Sequence, residues 1–185
     1  MVMAVPEQQV ETWFASARLT PVEELRSEAE RVLASPVIDA LLDVVGGLFA
    51  VLNANRQILA VNQHLLNRLG IVDAAELLGL RPGSVLHCAH AEKKPNGCGT
   101  TQYCRTCGAA IAMVSALDSR LPAERTCALS VGDQYGNKDL FLSVRAVPRV
   151  VEGVSVILLF LQDITARQHW KTLESVFFHD MANLI

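Results

Sequence analysis

The sequence predicts an α+β domain, one antiparallel sheet with a few packed helices, and three observations carry that prediction. Apolar residues recur at helical spacing, then in two short runs around an asparagine turn, then again at helical spacing, and last in three β-rich runs. The final run, "GVSVILLFLQDIT", is apolar on both faces and so belongs at the centre of a sheet. A chain of 185 residues, 51% of them hydrophobic, can hold one such core plus helical extensions and is too apolar for disorder.

The elements follow in order. In "TPVEELRSEAERVLAS", Thr20 is placed as N-cap, Pro21 as first helical residue and Glu23 as the return arm of a capping box. Ser35 and Pro36 repeat the start, "VIDALLDVV" is a short amphipathic helix, and Gly46-Gly47 ends it. "LFAVLNANRQILAVN" reads as two strands around Asn53 to Arg56, where asparagine tolerates left-handed backbone angles. "QHLLNRLGI" is a short helix stopped near Gly70, and "DAAELLGL" another with Asp73 as cap. "GAAIAMVSALDS" has Ile111, Val114 and Leu117 at helical spacing. "ERTCALSVGDQYG" and "NKDLFLSVRAVPRV" are strands flanking a turn at Gly136-Asn137. From Thr165 the pattern is helical: Trp170, Leu173, Phe177, Met181 and Leu184 average 3.5 residues apart, the period of a coiled coil or bundle. The stripe is still running at Ile185, so we expect these residues to be a piece of a longer protein.

The formal charge of −3 gives no electrostatic reason to expect nucleic acid or anionic lipid as partner. The start "MVMAVPEQQVETWF" lacks the pattern of a secretory signal, and the apolar run Val154 to Leu161 is too short to cross a bilayer. No nucleic acid, no membrane and a cytoplasmic location are expected.

The chemistry sits in "HCAHAEKKPNGCGTTQYCRTCG", which holds Cys88, Cys98, Cys104 and Cys107, four of the chain's five cysteines. In a reducing compartment clustered cysteines are metal ligands or redox groups more often than structural bridges. Four thiolates suit an iron–sulfur cluster, 2Fe–2S or 4Fe–4S. They also suit a closed tetrahedral zinc, with Cys104-x-x-Cys107 as half of the site. A thiol–disulfide switch at Cys104 and Cys107 is a third reading, and four unrelated cysteines a fourth. "CGTTQYCRTC" is similar to the C-x5-C-x2-C loop of one class of 2Fe–2S ferredoxins, although here the remaining thiol, Cys88, lies upstream. His87 and His90 flank Cys88 and are candidate substitutes for a thiolate; Cys127 reads as a core residue of its strand, and Lys93 and Lys94 as a solvated turn tip.

The order of elements resembles a PAS domain over about residues 37 to 165. "ALLDVVGGLFAVLNANRQILAVN" looks like the PAS opening, where a strand delivers the chain to an Asn, here Asn62, that starts a helix. "LFLQDITARQ" is similar to the PAS exit, whose Asp-Ile-Thr ends the last strand. The resemblance implies a five-stranded antiparallel sheet with helices on one face, spanning residues 36–165. It places an N-terminal helical segment before it (1–35) and a signalling helix after it (166–185). "FFHDMANLI" resembles the phosphoacceptor helix of sensor histidine kinases. By that match His179 takes the phosphoryl group, Asp180 helps activate it, and Asn183 helps orient a water for the reverse reaction. The resemblance further implies a homodimer, a response regulator as partner, and phosphotransferase activity only with the family's ATP-binding domain, whose glycine-rich motifs lie outside these residues. Together these readings predict a redox- or oxygen-sensing four-cysteine PAS module; the competing expectation is a small-molecule-binding or dimerisation module with a structural zinc.

Overall fold

The computed structural model describes residues 12–94, 96–131, 138–170 and 173–174. Two helices, α1 (Val22–Leu33) and α2 (Pro36–Val44), precede the hairpin β1 (Leu48–Asn53) and β2 (Ile58–Val61). Then come α3 (Gln63–Leu69), a 3-10 turn (Ala74–Leu77), α4 (Pro82–Val85), a second 3-10 turn (Gln102–Arg105) and α5 (Gly108–Ser119). The chain finishes its sheet with β3 (Ala123–Val131), β4 (Lys138–Val151) and β5 (Val154–Asp163).

The five strands pair antiparallel in the order β2-β1-β5-β4-β3, with β5 in the middle. This is the α+β PAS fold the sequence predicts. Alternation along each strand sends side chains to two cores. Ala50, Leu52, Ile157 and Leu159 pack with α3 and α5 on one face. Phe49, Val51, Val156 and Leu158 pack with Leu25, Ala29, Val32 and Ile38 of α1 and α2 on the other. The PAS helices after β2 thus share one face, while the N-terminal helices cover the second. That explains why β5 is apolar throughout.

Local chemistry sets most boundaries. Asn62 caps α3 by accepting from the Leu65 N–H, and its buried amide also accepts from Phe49 N–H and donates to the Val45 and Gly47 carbonyls. Gly70 ends that helix at φ 68°, and Asp73 caps the first 3-10 turn. Two expectations need correction. Thr20 does not cap α1, which begins at Val22 with no side-chain cap; its hydroxyl instead accepts from Asn53 and Asn55 Nδ2. In the β1–β2 turn the left-handed residue is Arg56, at φ 63°, and not an asparagine. Asn53 works there through Oδ1, which accepts from the Asn55 and Gln57 N–H groups. The expected turn at Gly136-Asn137 lies outside the described residues.

Candidate functional site: a five-thiol cavity

The loop from α4 to α5 folds over the β3 side of the sheet. Cys88 N–H donates to the Gly83 carbonyl, Cys88 bridges to Val131, and Ala89 N–H donates to Ser130, so the loop's first cysteine is tied to the end of β3. Gly83 is where two cysteines meet. A Cβ there would lie 2.7 Å from Cys98 Sγ and 3.5 Å from Cys88 Cβ, a space only glycine leaves open. Cys104 sits buried in the second 3-10 turn, and Cys107 is the N-cap position of α5.

All four predicted cysteines line one cavity of about 160 Å³. The fifth, Cys127 on β3, lines it too. Cys127 is a core residue as expected, 1% exposed, yet its Sγ lies 3.6 Å from that of Cys107. Sequence reasoning missed this second role; the signal available was its inward-facing position on a strand. The Cys104 sulfur accepts from the Gly99 N–H at 3.3 Å and lies 3.3 Å from Thr101 Oγ1, the small-residue support that thiolate ligands use. Among the described residues no three His, Cys, Asp or Glu side chains stand in metal-binding geometry. The five thiols share a cavity without yet converging on one point.

The surroundings are cationic. Arg56 and Arg81 are 5% and 3% exposed and have no carboxylate partner among the described residues. Both guanidiniums reach the Ser16 carbonyl, at 2.6 and 3.3 Å. Arg81 also donates to the carbonyls of Arg18, Asn96 and Cys98. The Nε of each arginine has no hydrogen-bond partner among the described residues. Burial lowers the Arg56 pKa and, with repulsion from Arg56, brings Arg81 down to about 10, while the Cys98 and Cys104 sulfurs pull both back up. Two buried cations without counter-charge are costly unless an anion sits beside them, and among the described residues Cys98 and Cys104 are the groups whose negative charge would favour them. These arginines also bind an extended strap before α1. Trp13 and Ala15 N–H donate to the Thr100 and Gly99 carbonyls, and Asn96 donates to Ala17, so the strap lies along the cysteine loop.

The thiols differ. Burial pushes Cys98 up to about 12 and raises Cys88. The hydrogen bond shared with the Cys127 thiol draws Cys107 down to about 6, helped by the Ala109 and Ala110 N–H groups of α5. Cys127 is raised in return.

The chain is similar to the PAS domain of an HTR-like protein from Haloarcula marismortui, at 19% identity over 69% of this chain and 95% of that one, TM-score 0.44. It is also similar to the PAS domain of nitrogen regulation protein NR(II) from Vibrio parahaemolyticus, at 13% over 70% and 100%, TM-score 0.47. A third is the PAS domain of Bordetella pertussis BvgS, at 14% over 80% and 96%, TM-score 0.45. No protein-family model and no curated protein matches the chain.

The two histidines part company. His90 lines the cavity and stacks on Tyr103 at 3.9 Å, with Nδ1 buried and without a partner among the described residues, whereas His87 lies outside it at φ 53°. Lys93 is more than a turn tip: its ammonium sits 4.7 Å over the Tyr103 ring. At the other end, the Asp163 carboxylate accepts the Thr165 N–H, Thr165 Oγ1 accepts the Phe141 N–H, and Arg68 pairs with Asp163 at 3.3 Å. The predicted exit is thus pinned to β4 and α3. His179, Asp180 and Asn183 lie outside the described residues, as do Phe177, Met181 and Leu184. No helix among the described residues is long and apolar enough to cross a membrane.

Proposed function

We propose that this chain is the sensory and dimerising portion of a two-component histidine kinase, sensing redox state or oxygen through an iron–sulfur cluster on Cys88, Cys98, Cys104 and Cys107. One observation carries the reading: five thiols face one cavity beside two buried arginines that lack any carboxylate among the described residues. A thiolate-bound cluster is anionic and supplies the missing counter-charge. At about 160 Å³ the cavity falls below the roughly 300 Å³ at which drug-sized ligands begin to fit, which argues against a small-molecule pocket. When bound, the cluster supplies reversible one-electron chemistry; this chain's residues hold it, limit water and shape its charge.

Output runs through β5. The Asp163-Ile164-Thr165 exit leads into a helical segment at residues 165–170, and Trp170 and Leu173 are 73% and 62% exposed, the apolar face that a second copy covers. His179 is the phosphoacceptor, with Asp180 and Asn183 as its helpers, and a response regulator receives the phosphoryl group. A bias of about 1–3 kcal/mol between two helical arrangements changes output roughly 5- to 150-fold. A structural zinc on the same four thiols is the second reading, since a closed four-thiolate site suits it equally.

Anaerobic purification with iron, sulfide and zinc analysis separates the two. A brown protein containing iron and acid-labile sulfide is the expected result, a colourless zinc protein supports the second reading, and a metal-free protein refutes both. Fusing the missing ATP-binding domain and changing His179→Gln is expected to abolish phosphorylation; retained labelling ends the phosphoacceptor assignment.

A further inference from the structure

We propose that Cys127 is itself a ligand of the metal centre, sharing one metal ion with Cys107 and fixing that centre to the sheet. This rests on the reading of the cavity as a metal site and puts a strand thiol in the place of one of the four loop thiols, since a cluster or a zinc takes four thiolates. The first argument is distance. Two thiolates on one tetrahedral ion at about 2.3 Å stand about 3.8 Å apart, whether the ion is zinc or iron. The Cys107 and Cys127 sulfurs are 3.6 Å apart before any metal is placed between them.

The second argument is how that approach is built. Cys107 precedes α5, and α5 starts with Gly108, where a Cβ would run into the Thr126 backbone carbonyl and lie 3.2 Å from Arg125 Cβ. The missing side chain lets the start of the helix lie directly on β3. The residue following Thr126 in that strand is Cys127. A backbone contact this close, at the one place where a loop thiol meets a strand thiol, is what a shared ligand position needs.

The third argument is placement in the sheet. Cys127 pairs with Leu142 across β3–β4, and Leu142 pairs with Asp163 across β4–β5. A ligand at Cys127 therefore stands two strand spacings, about 10 Å, from the first residue of the Asp-Ile-Thr exit. Among the loop ligands, Cys88 is tied to the sheet through backbone contacts at Ser130 and Val131. A strand ligand couples the centre's dimensions to the row of residues that ends at the exit.

The test is a panel of single variants, Cys→Ala at 88, 98, 104, 107 and 127 plus Cys127→Ser, purified without oxygen, with folding checked by far-UV circular dichroism. Metal content, visible spectrum and Co(II) binding by the metal-free chains are read for each. Cys127→Ser keeps nearly the native volume, so it remains interpretable where alanine leaves a void. The expected result is that Cys127→Ser lowers Co(II) affinity at least about tenfold, as Cys107→Ala does, and weakens the sulfur-to-cobalt band. A folded Cys127→Ser chain with wild-type metal content, spectrum and Co(II) affinity overturns the proposal and leaves the four loop cysteines as the ligand set. A Cys107–Cys127 disulfide found by mass spectrometry in metal-loaded protein overturns it as well. Wild-type protein that binds neither iron, zinc nor Co(II) fails at the earlier step, the metal site itself.

Discussion

Arg81→Met tests the charge argument most directly, because it removes a cation from beside the cavity while nearly keeping its length. Arg81 makes two short hydrogen bonds, to Asn96 O at 2.7 Å and Arg18 O at 2.8 Å, and two long ones at 3.3 Å. Each short bond from a charged donor contributes about 1.5–3 kcal/mol, so their loss costs about 3–6 kcal/mol. Against that, lowering the pKa from 12.5 to about 10 means the buried charge already costs about 3 kcal/mol, which methionine does not bear. The metal-free chain should therefore lose only about 0–3 kcal/mol. Metal binding should suffer separately. The Arg81 guanidinium is bonded to the Cys98 carbonyl and feels that residue's sulfur, and at an effective dielectric of 20 a unit charge about 6 Å away is worth about 3 kcal/mol. After screening by partial solvent access we expect a loss of about 1–3 kcal/mol, or roughly 5- to 150-fold in metal affinity. Arg81→Lys keeps the charge without the fork and should recover most of that affinity but not the stability. The assays are urea denaturation of metal-free protein and anaerobic Co(II) competition. Unchanged affinity in Arg81→Met, or equal losses in the Met and Lys variants, would refute the claim that the buried arginines offset an anionic centre.

Three further outcomes follow from the geometry. Gly83→Ala places a methyl 2.7 Å from Cys98 Sγ and should cost about 1–3 kcal/mol while displacing a ligand, read as weakened metal binding in a chain that still folds. Asn62→Ala strips α3 of its cap and leaves the Phe49 N–H and two carbonyls unpaired, so the denaturation midpoint should fall by an amount equivalent to about 2–4 kcal/mol without altering metal content. In the metal-free chain Cys107, at about 6 when folded against 9.0 as a free thiol, loses its proton before the unfolded chain does, so stability should rise from pH 6 to pH 9. Cys98, near 12, and the raised Cys127 hold their protons after the unfolded chain has lost them, so stability should fall again above pH 9. A urea-midpoint profile flat across pH 6–9 would show that Cys107 is not a depressed thiol.

The sheet was readable because strand alternation and the two-sided apolarity of β5 are local patterns. So were the Asn62 cap and the Gly70 stop, each a contact within a few residues; the spacing in α5 gives the helix but not its buried face, which is Ala112, Met113 and Ala116 rather than Ile111, Val114 and Leu117. Thr20 was misread because its hydroxyl is claimed by Asn53 and Asn55, 33 and 35 residues away, and no local rule reports such a partner. The four loop cysteines stood out by crowding, whereas Cys127 did not: it is a single inward-facing cysteine on a strand, and only the approach of α5 through Gly108 gives it a neighbour. Arg56 and Arg81 were invisible for the same reason. An arginine in a turn reads as solvated surface, and nothing nearby in sequence says that the strap at residues 13–18 will bury it.

That strap changes how the cavity must work. Its carbonyls at Ser16 and Arg18 take the guanidinium protons, and its N–H groups bind Gly99 and Thr100, so loop, arginines and strap form one hydrogen-bonded unit. A negative centre among the thiols favours the charged arginines, and charged arginines hold the strap. Draining that charge, by loss of metal or by oxidation that lowers the centre's negative charge, leaves two like-charged guanidiniums buried beside each other with only carbonyls to face. The cheapest relief is for one of them to reach water, and both are shielded by the strap. Because the strap leads directly into α1, which packs on the opposite sheet face from the cavity, the charge state of the thiols reaches both faces of the sheet. On the proposed reading, a change at the cysteines is expected to act through the strap on α1 as well as through β3 toward Asp163.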